Sequence, residues 1–350
     1  VAAAKGHAEG ELLTSLLRDV SRSFYLTLRV LPGPVRRQIG IAYLLARATD
    51  TVADTEIISL TARQETLLRL RARIMGQMNP PLDLGRIADQ QGTSGERVLM
   101  ERIEDALSLL EALSEEDRAL VREVLGTITS GQELDLQRFA TASSRNIVAL
   151  HADAELDDYT YRVAGCVGEF WTKMCLAHLR APTSIDRAKL VADGIRFGKG
   201  LQMVNILRDL SADLLKGRCY IPRNALAATH LSPEHLLDPK RMGDFRALYD
   251  SYLDRAEEHL AAGWTYTNTL PFTWARVRLA CAWPILIGLR TIAHLRGANP
   301  LDGARRVKAS RGEVKRLMAA SVLAYPLPWL WKRLAGTARG QVANLRHGRL

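Results

Sequence analysis

Two stretches, Arg47–Asp54 (RATDTVAD) and Asn205–Asp213 (NILRDLSAD), decide how this chain reads. Each holds two aspartates spaced i, i+4: Asp50/Asp54 and Asp209/Asp213. On an α-helix that spacing sends both carboxylates off one face, a single turn apart. Four carboxylates so arranged are more negative charge than a packed helical core tolerates unpartnered. Divalent cations supply the missing charge, and hard Mg²⁺ commonly bridges one or two carboxylates to a substrate phosphate. One DxxxD is common on solvated helix faces. Two copies, with Arg47 and Arg208 just upstream, form a much more specific signal.

The neighbouring residues extend both patterns. Tyr43, Arg47, Asp50 and Asp54 step along one helix face. Gln202, Asn205, Arg208, Asp209 and Asp213 repeat the design, and Arg218 and Tyr220 follow in KGRCYIP. Either stripe alone would suit a surface ion-pair ladder. Two stripes facing each other across a bundle would instead hold Mg²⁺ and arginine donors around a diphosphate. Between them, Gly165 and Gly168 fall within a helical pattern, where glycine costs roughly 1 kcal/mol relative to alanine. They leave room for close helix packing or for a bulky apolar ligand.

Helical periodicity runs almost throughout, with expected helices at 11–29, 35–54, 60–78, 95–112, 116–139, 153–180, 185–215, 241–269 and 274–296. Leu31-Pro32-Gly33-Pro34 and Asn79-Pro80-Pro81 punctuate the pattern, and Ser114-Glu115-Glu116-Asp117 is a helix-start signal. Hairpin signals, alternating Val/Ile runs and Pro/Ser-rich linkers are missing. The expectation is one all-α domain over 1–350, with a core at 11–300 and a basic, partly apolar extension at 301–350.

A chain of 350 residues with 47% hydrophobic content can bury a large core. It has no run of 18 uncharged apolar residues and so no expected membrane span. The opening VAAAKGHAEGELL lacks a secretory layout. Cys166, Cys175, Cys219 and Cys281 have no CxxC spacing and read as reduced structural thiols of a cytoplasmic protein. The formal charge of +10 is uneven: 276–350 holds 15 Lys/Arg against Asp302 and Glu313, a net of +13. Such a segment suits anionic lipid or a phosphorylated ligand. No zinc finger, RNP-like motif or basic-region heptad accompanies it, which argues against nucleic acid. Leu317–Trp331 is apolar, too short to span a bilayer, and flanked by Lys315/Arg316 and Lys332/Arg333. Peripheral contact with the inner face of a membrane is the matching expectation.

SRSFYLTLRVLP (21–32), YLLARATDTVAD (43–54), YRVAGCVGEFW (161–171) and LQMVNILRDLSADLLKGRCYIP (201–222) together resemble the successive motifs of the squalene/phytoene synthase family. The resemblance covers roughly residues 15–300. It implies an all-α isoprenoid-synthase bundle around an apolar cavity and a prenyltransferase joining two farnesyl diphosphates head to head. Asp50, Asp54, Asn205, Asp209 and Asp213 would hold Mg²⁺. Arg22, Ser23, Arg47, Gln202, Arg208 and Arg218 would bind diphosphate. Tyr43, Tyr161 and Arg162 are the catalytic candidates, Tyr43 to orient diphosphate or relay a proton.

RLACAWPILIGLRTIAHL (278–295) and RRVKASRGEV (305–314) look more like squalene synthases, in which a VK-x-x-[RK]-G stretch is associated with NADPH phosphates. Lys308 and Arg311 occupy the matching places, and Arg22, Arg47 and Arg208 complete the expected NADPH set. No Rossmann fingerprint is present. Of two departures from the eukaryotic pattern, Arg162 before VAG leaves the base for cyclopropane closure open, and Ala53 before Asp54 suggests a prokaryotic, bacterial type with fewer metal ligands. The expected product is squalene, for sterol- or hopanoid-type isoprenoid synthesis. The rivals are an enzyme stopping at presqualene diphosphate, a phytoene or dehydrosqualene synthase needing no reductant, and a non-catalytic assembly factor. Four acidic ligands argue against the last.

Overall fold

The computed structural model describes residues 10–21, 24–55, 58–88, 94–304 and 307–336. The chain divides into two compact units, Val1–Ala140 with Phe170–Arg180, and Thr141–Glu169 with Ala181–Leu350.

In the first unit, short helical segments at Leu17–Ser21 and Phe24–Val30 precede the long helix α1, Gly33–Asp54. Helices α2 (Leu60–Ile74), α3 (Ser94–Glu101), α4 (Ile103–Glu111) and α5 (Glu115–Arg138) follow. Helix α1 begins with a proline in its first turn, where the missing N–H would have no helical partner anyway. It stops at Asp54 because Thr55 turns extended, with ψ of 115°. Its Val35, Ile39, Leu44, Leu45 and Val52 are buried, and the helix packs against α2, α4 and α5. Burying each such side chain contributes roughly 1.5–3 kcal/mol. At Ser114 the hydroxyl accepts from Asp117 N at 3.2 Å, the cap that the sequence signal predicts for α5. Two boundaries differ from expectation. Gly76, at φ +71°, ends the helix expected over 60–78 several residues early. The helix expected over 95–112 is interrupted at Arg102, at φ −108° and ψ 23°.

The second unit contains β1 (Val148–Ala149), α6 (Asp153–Thr160), a π-helical segment Tyr161–Gly165, and the first turn of α7 (Cys166–His178). It continues through α8 (Arg187–Arg208), α9 (Leu210–Leu215), β2 (Arg218–Cys219), α10 (Met242–Thr269), α11 (Ala275–Arg296) and α12 (Arg311–Ala324). Helix α8 packs against α10, α11 and the π segment, and α11 against α10 and α12. The expected spans 241–269 and 274–296 match α10 and α11 within a residue. The expected helix 185–215 is broken at Asp209 (φ −98°, ψ 11°), although hydrogen bonds from Asp209 N to Asn205 O and Asp213 N to Asp209 O carry one-turn spacing through the break. The parallel pair β1/β2 was not expected, because two residues per strand are too few to show alternation.

Gly168 is explained by packing. A Cβ there would lie 1.9 Å from the Gly194 carbonyl oxygen of α8, so the helix backbones meet directly. At Gly165 a Cβ would meet only the side chains of Tyr161, Lys199 and Ile195, at 3.1–3.3 Å.

The four cysteines are buried free thiols, and burial pushes Cys166, Cys175 and Cys219 up to about 12. Such thiols are inert packing residues at neutral pH. No described helix is long and apolar enough to cross a membrane.

Candidate active site

Helix α1 carries the first acidic pair in the first unit. Tyr43, Arg47 and Asp50 are half-buried on successive turns, and Asp54 is exposed at the helix end. From α5, Gln132 Nε2 donates to Asp50 Oδ1 at 2.5 Å. From α3, Glu96 accepts a hydrogen bond from Arg47 Nη2. Burial first, then the like charge of Asp54, pushes the Asp50 carboxyl up to about 6 against the opposing pull of Arg47 and Gln132. Arg47 Nε and Gln132 Oε1 are buried without a hydrogen-bond partner. A crowded carboxylate pair, with a second carboxylate open to solvent, is a donor set that suits a hard divalent cation. Among the described residues no three His, Cys, Asp or Glu side chains converge as a closed metal cage. Two carboxylates completed by substrate oxygens are the form that Mg²⁺ sites commonly take.

The second pair lies in the second unit, where α8 gives way to α9. Gln202 and Arg208 are half-buried and Asn205 is exposed, with Asn205 Nδ2 donating to Gln202 Oε1 at 3.4 Å. Arg208 grips its own neighbour, with Nε to Asp209 Oδ1 at 3.0 Å and Nη2 to Oδ2 at 2.5 Å. This bidentate contact fixes both side chains at the helix break. Asp213 follows one turn later, half-buried. Arg218 lies opposite Val148 in the β1/β2 pair, and buried Tyr220 stacks on Tyr159 with ring centroids 4.6 Å apart. The loop at Gly303 passes against Ser211, between the two aspartates: a Cβ on Gly303 would lie 3.8 Å from Ser211 Oγ. A few residues on, Lys308 and Arg311 are exposed, Arg311 opening α12 behind a Ser310/Glu313 capping box.

The π segment presents the expected catalytic residues of the VAG motif. π-helical turns within α-helices are frequent at functional sites. Tyr161 Oη donates to Glu169 Oε2 at 3.1 Å, and Lys199 Nζ stands 5.9 Å from the Tyr161 ring centroid. Lys199 also donates to both oxygens of Asp157 at 2.8 Å. Arg162 Nε donates to both Asp158 oxygens at 2.9 Å. Arginine does not give up its proton in proteins, so Arg162 positions charge and is no candidate for the base. Tyr161 carries the titratable hydroxyl. Arg22 and Ser23 lie outside the described residues.

Gln132, Glu96, Lys199 and Glu169 were not expected from sequence. Their motifs are ordinary polar positions of helices, and only the partner side chain gives each a role.

Residues 17–313 match the squalene/phytoene synthase family, a span that contains both aspartate pairs, the π segment and the basic loop. The chain belongs to the squalene/phytoene synthase family. Over 249 residues it is 30% identical to the bifunctional lycopene cyclase/phytoene synthase of Gibberella fujikuroi, covering 70% of this chain and 40% of that protein. It is 24% identical over 311 residues to the probable squalene synthase of Neurospora crassa, covering 87% of this chain and 60% of that protein. The chain therefore spans less than two thirds of either relative. Among solved structures, the complex of TcSQS with the ligand E5700 superposes with a TM-score of 0.79 at 20% identity, covering 97% of this chain and 93% of that one. That likeness, with the helical architecture described above, places this family member in the all-α isoprenoid-synthase fold.

Proposed function

We propose that this chain is a prenyltransferase that condenses two farnesyl diphosphates head to head, through presqualene diphosphate, and reduces the product to squalene with NADPH. The observation that carries this reading is the pair of DxxxD turns, each adjoining an arginine, inside a family match over residues 17–313. Asp50 and Asp54 in one unit, and Asp209 and Asp213 with Asn205 in the other, would hold Mg²⁺. Bound there, Mg²⁺ would neutralise the departing diphosphate. Arg208 and Arg218 add charge-assisted donors to diphosphate oxygens, and Arg47 contributes the donors that Glu96 leaves available. Gln132 keeps Asp50 aimed. Tyr43, one helical turn before Arg47, would orient a diphosphate held at Asp50 and Asp54. Tyr161, backed by Glu169 and overlain by the Lys199 ammonium, is the hydroxyl suited to receive and pass on the proton lost on cyclopropane closure. Ionisation of an allylic diphosphate leaves a cation that must be kept from water, which an apolar helical interior provides. Lys308 and Arg311 would pair with NADPH phosphates, and NADPH would supply the hydride that ends the second step.

A reductant-free reading is favoured by one observation, the 30% identity to a protein named for phytoene synthase. In it the chain rearranges its intermediate and loses a proton without NADPH. Incubation with farnesyl diphosphate or geranylgeranyl diphosphate and Mg²⁺, with and without NADPH, followed by product extraction, separates these readings. Squalene formed only with NADPH supports the first. Dehydrosqualene, phytoene or accumulated presqualene diphosphate, unchanged by NADPH, would replace it. No condensation with either substrate would reject both.

A further inference from the structure

The end of α12 and the turn after it, together with Phe272 from the connection between α10 and α11, expose an apolar surface that the chemistry above does not use. Leu323 is 75% exposed, Trp329 59%, Phe272 54%, Val322 50% and Leu327 43%. These residues are held on a braced segment. Trp331 is buried, stacks on Trp264 with centroids 5.3 Å apart, and donates Nε1–H to Asn268 Oδ1 at 2.8 Å. Tyr325 stacks on Phe272 at 4.8 Å, and its hydroxyl donates to the Phe272 carbonyl. The Arg278 guanidinium lies within 5.3–5.8 Å of the Phe272, Tyr325 and Trp331 ring centroids and donates to the same Asn268 oxygen at 3.1 Å. Alternate residues are thus pinned inward onto α10 and α11, while Leu323, Leu327 and Trp329 are left facing solvent.

The charge around this surface has one sign. Lys315, Arg316, Lys332 and Arg333 are all exposed and bracket the apolar turn in sequence. Arg333 lies 5.9 Å from the Trp329 ring centroid. From Val314 to Gly336 the chain contains no acidic residue. A partner must therefore offer an apolar layer beneath a layer of negative charge, which describes the headgroup boundary of an anionic bilayer. Tryptophan is enriched at that boundary because its ring is apolar and its N–H polar.

We propose that this aromatic-braced turn docks on anionic lipid surfaces, with Leu323, Leu327 and Trp329 entering the headgroup boundary and the four flanking cations pairing with lipid phosphates. The proposal does not depend on which product the enzyme makes.

Co-sedimentation of the full chain with vesicles tests it. Wild type should partition onto phosphatidylcholine/phosphatidylglycerol vesicles, more weakly onto phosphatidylcholine alone, and less as salt is raised. Each basic residue near an anionic surface strengthens binding about fivefold, so reversing two in Lys332→Glu/Arg333→Glu should weaken it at least about twentyfold. Leu323→Glu/Leu327→Glu should abolish partition, whereas Leu68→Glu, which charges an exposed leucine of the first unit (51% exposed), should leave it unchanged. Each variant should keep the wild-type circular dichroism spectrum, and the emission contributed by Trp329, taken as wild type minus Trp329→Phe, should shift to the blue on vesicle addition. Failure of wild type to bind anionic vesicles, or full binding by the Leu323→Glu/Leu327→Glu variant, would overturn the proposal. So would self-association of the wild type in the ultracentrifuge that this variant removes, since the surface would then serve a second copy of the chain.

Discussion

Gln132 on α5 donates its Nε2–H to Asp50 Oδ1 on α1 across 2.5 Å, linking residues 82 positions apart in the chain. Asp50 also feels Asp54 one turn on, so Gln132 is the neutral contact that sets the carboxylate's direction without adding charge. Replacing Gln132 by Met keeps the volume and removes the donor. A hydrogen bond to a charged group contributes about 1.5–3 kcal/mol, so the variant should need about ten- to a hundredfold more Mg²⁺ for half-maximal turnover. Mg²⁺ titrations of activity and of thermal protection by a diphosphate both report it. An unchanged Mg²⁺ requirement with a lowered melting temperature would reduce Gln132 to a packing role.

Asp50→Asn and Asp209→Asn each remove one anionic oxygen while preserving shape. Each should lower turnover about a hundredfold or more while leaving the helical circular dichroism intact, because charge neutralisation by a metal is worth several kcal/mol in a transition state. Full turnover in either variant, or in excess chelator, would remove that pair from the metal site.

Gly168→Ala should be destabilising out of proportion to the added methyl group. Its Cβ would meet a backbone oxygen of α8, which cannot rotate away, and overpacking of this kind typically costs about 1–3 kcal/mol. Gly165→Ala meets only side chains at 3.1–3.3 Å and should cost clearly less. Thermal melts of the two variants make the comparison, and equal losses would contradict the backbone contact at Gly168.

His259 on α10 predicts a pH dependence of stability. Burial first, then the positive charges of Arg196, Arg255 and Lys199, push its imidazole down to about 4, with Asp157 pulling the other way. In the unfolded chain histidine titrates near ~6.5. Below that pH the unfolded state takes up the proton first, so the stability present above ~6.5 is lost as pH falls toward 4. With the ring half-buried, the loss should be about 1–2 kcal/mol by pH 4.5. His259→Gln should flatten the melting temperature between pH 7 and 4.5, and an identical slope in both proteins would assign the acid sensitivity elsewhere.

Lys308→Ala tests the reductant. If Lys308 pairs with an NADPH phosphate, losing it should raise the NADPH requirement about ten- to a hundredfold and let presqualene diphosphate accumulate. The first coupling needs no hydride and should proceed at its normal rate. Unaltered NADPH dependence would remove Lys308 from that site.

The sequence by itself determined what depends on local spacing. Helical periodicity placed α1, α5, α10 and α11 within about two residues, and the i, i+4 aspartates stayed one turn apart even where the helix breaks at Asp209. Hydrogen bonding between residues four apart is a property of the neighbouring chain, so pattern alone carries it. Only the tertiary structure decided partners. It gave Gln132 to Asp50, Glu96 to Arg47 and Asp157 to Lys199, and it set Gly168 against Gly194. It also separated Trp331, buried at 2% exposure, from Trp329, exposed at 59%, two residues away in one apolar stretch. Composition treats those tryptophans alike. Which one faces the core depends on the ring of Trp264, brought to Trp331 by α10 from far away in sequence, with the nearby Tyr325 ring closing edge-on against it.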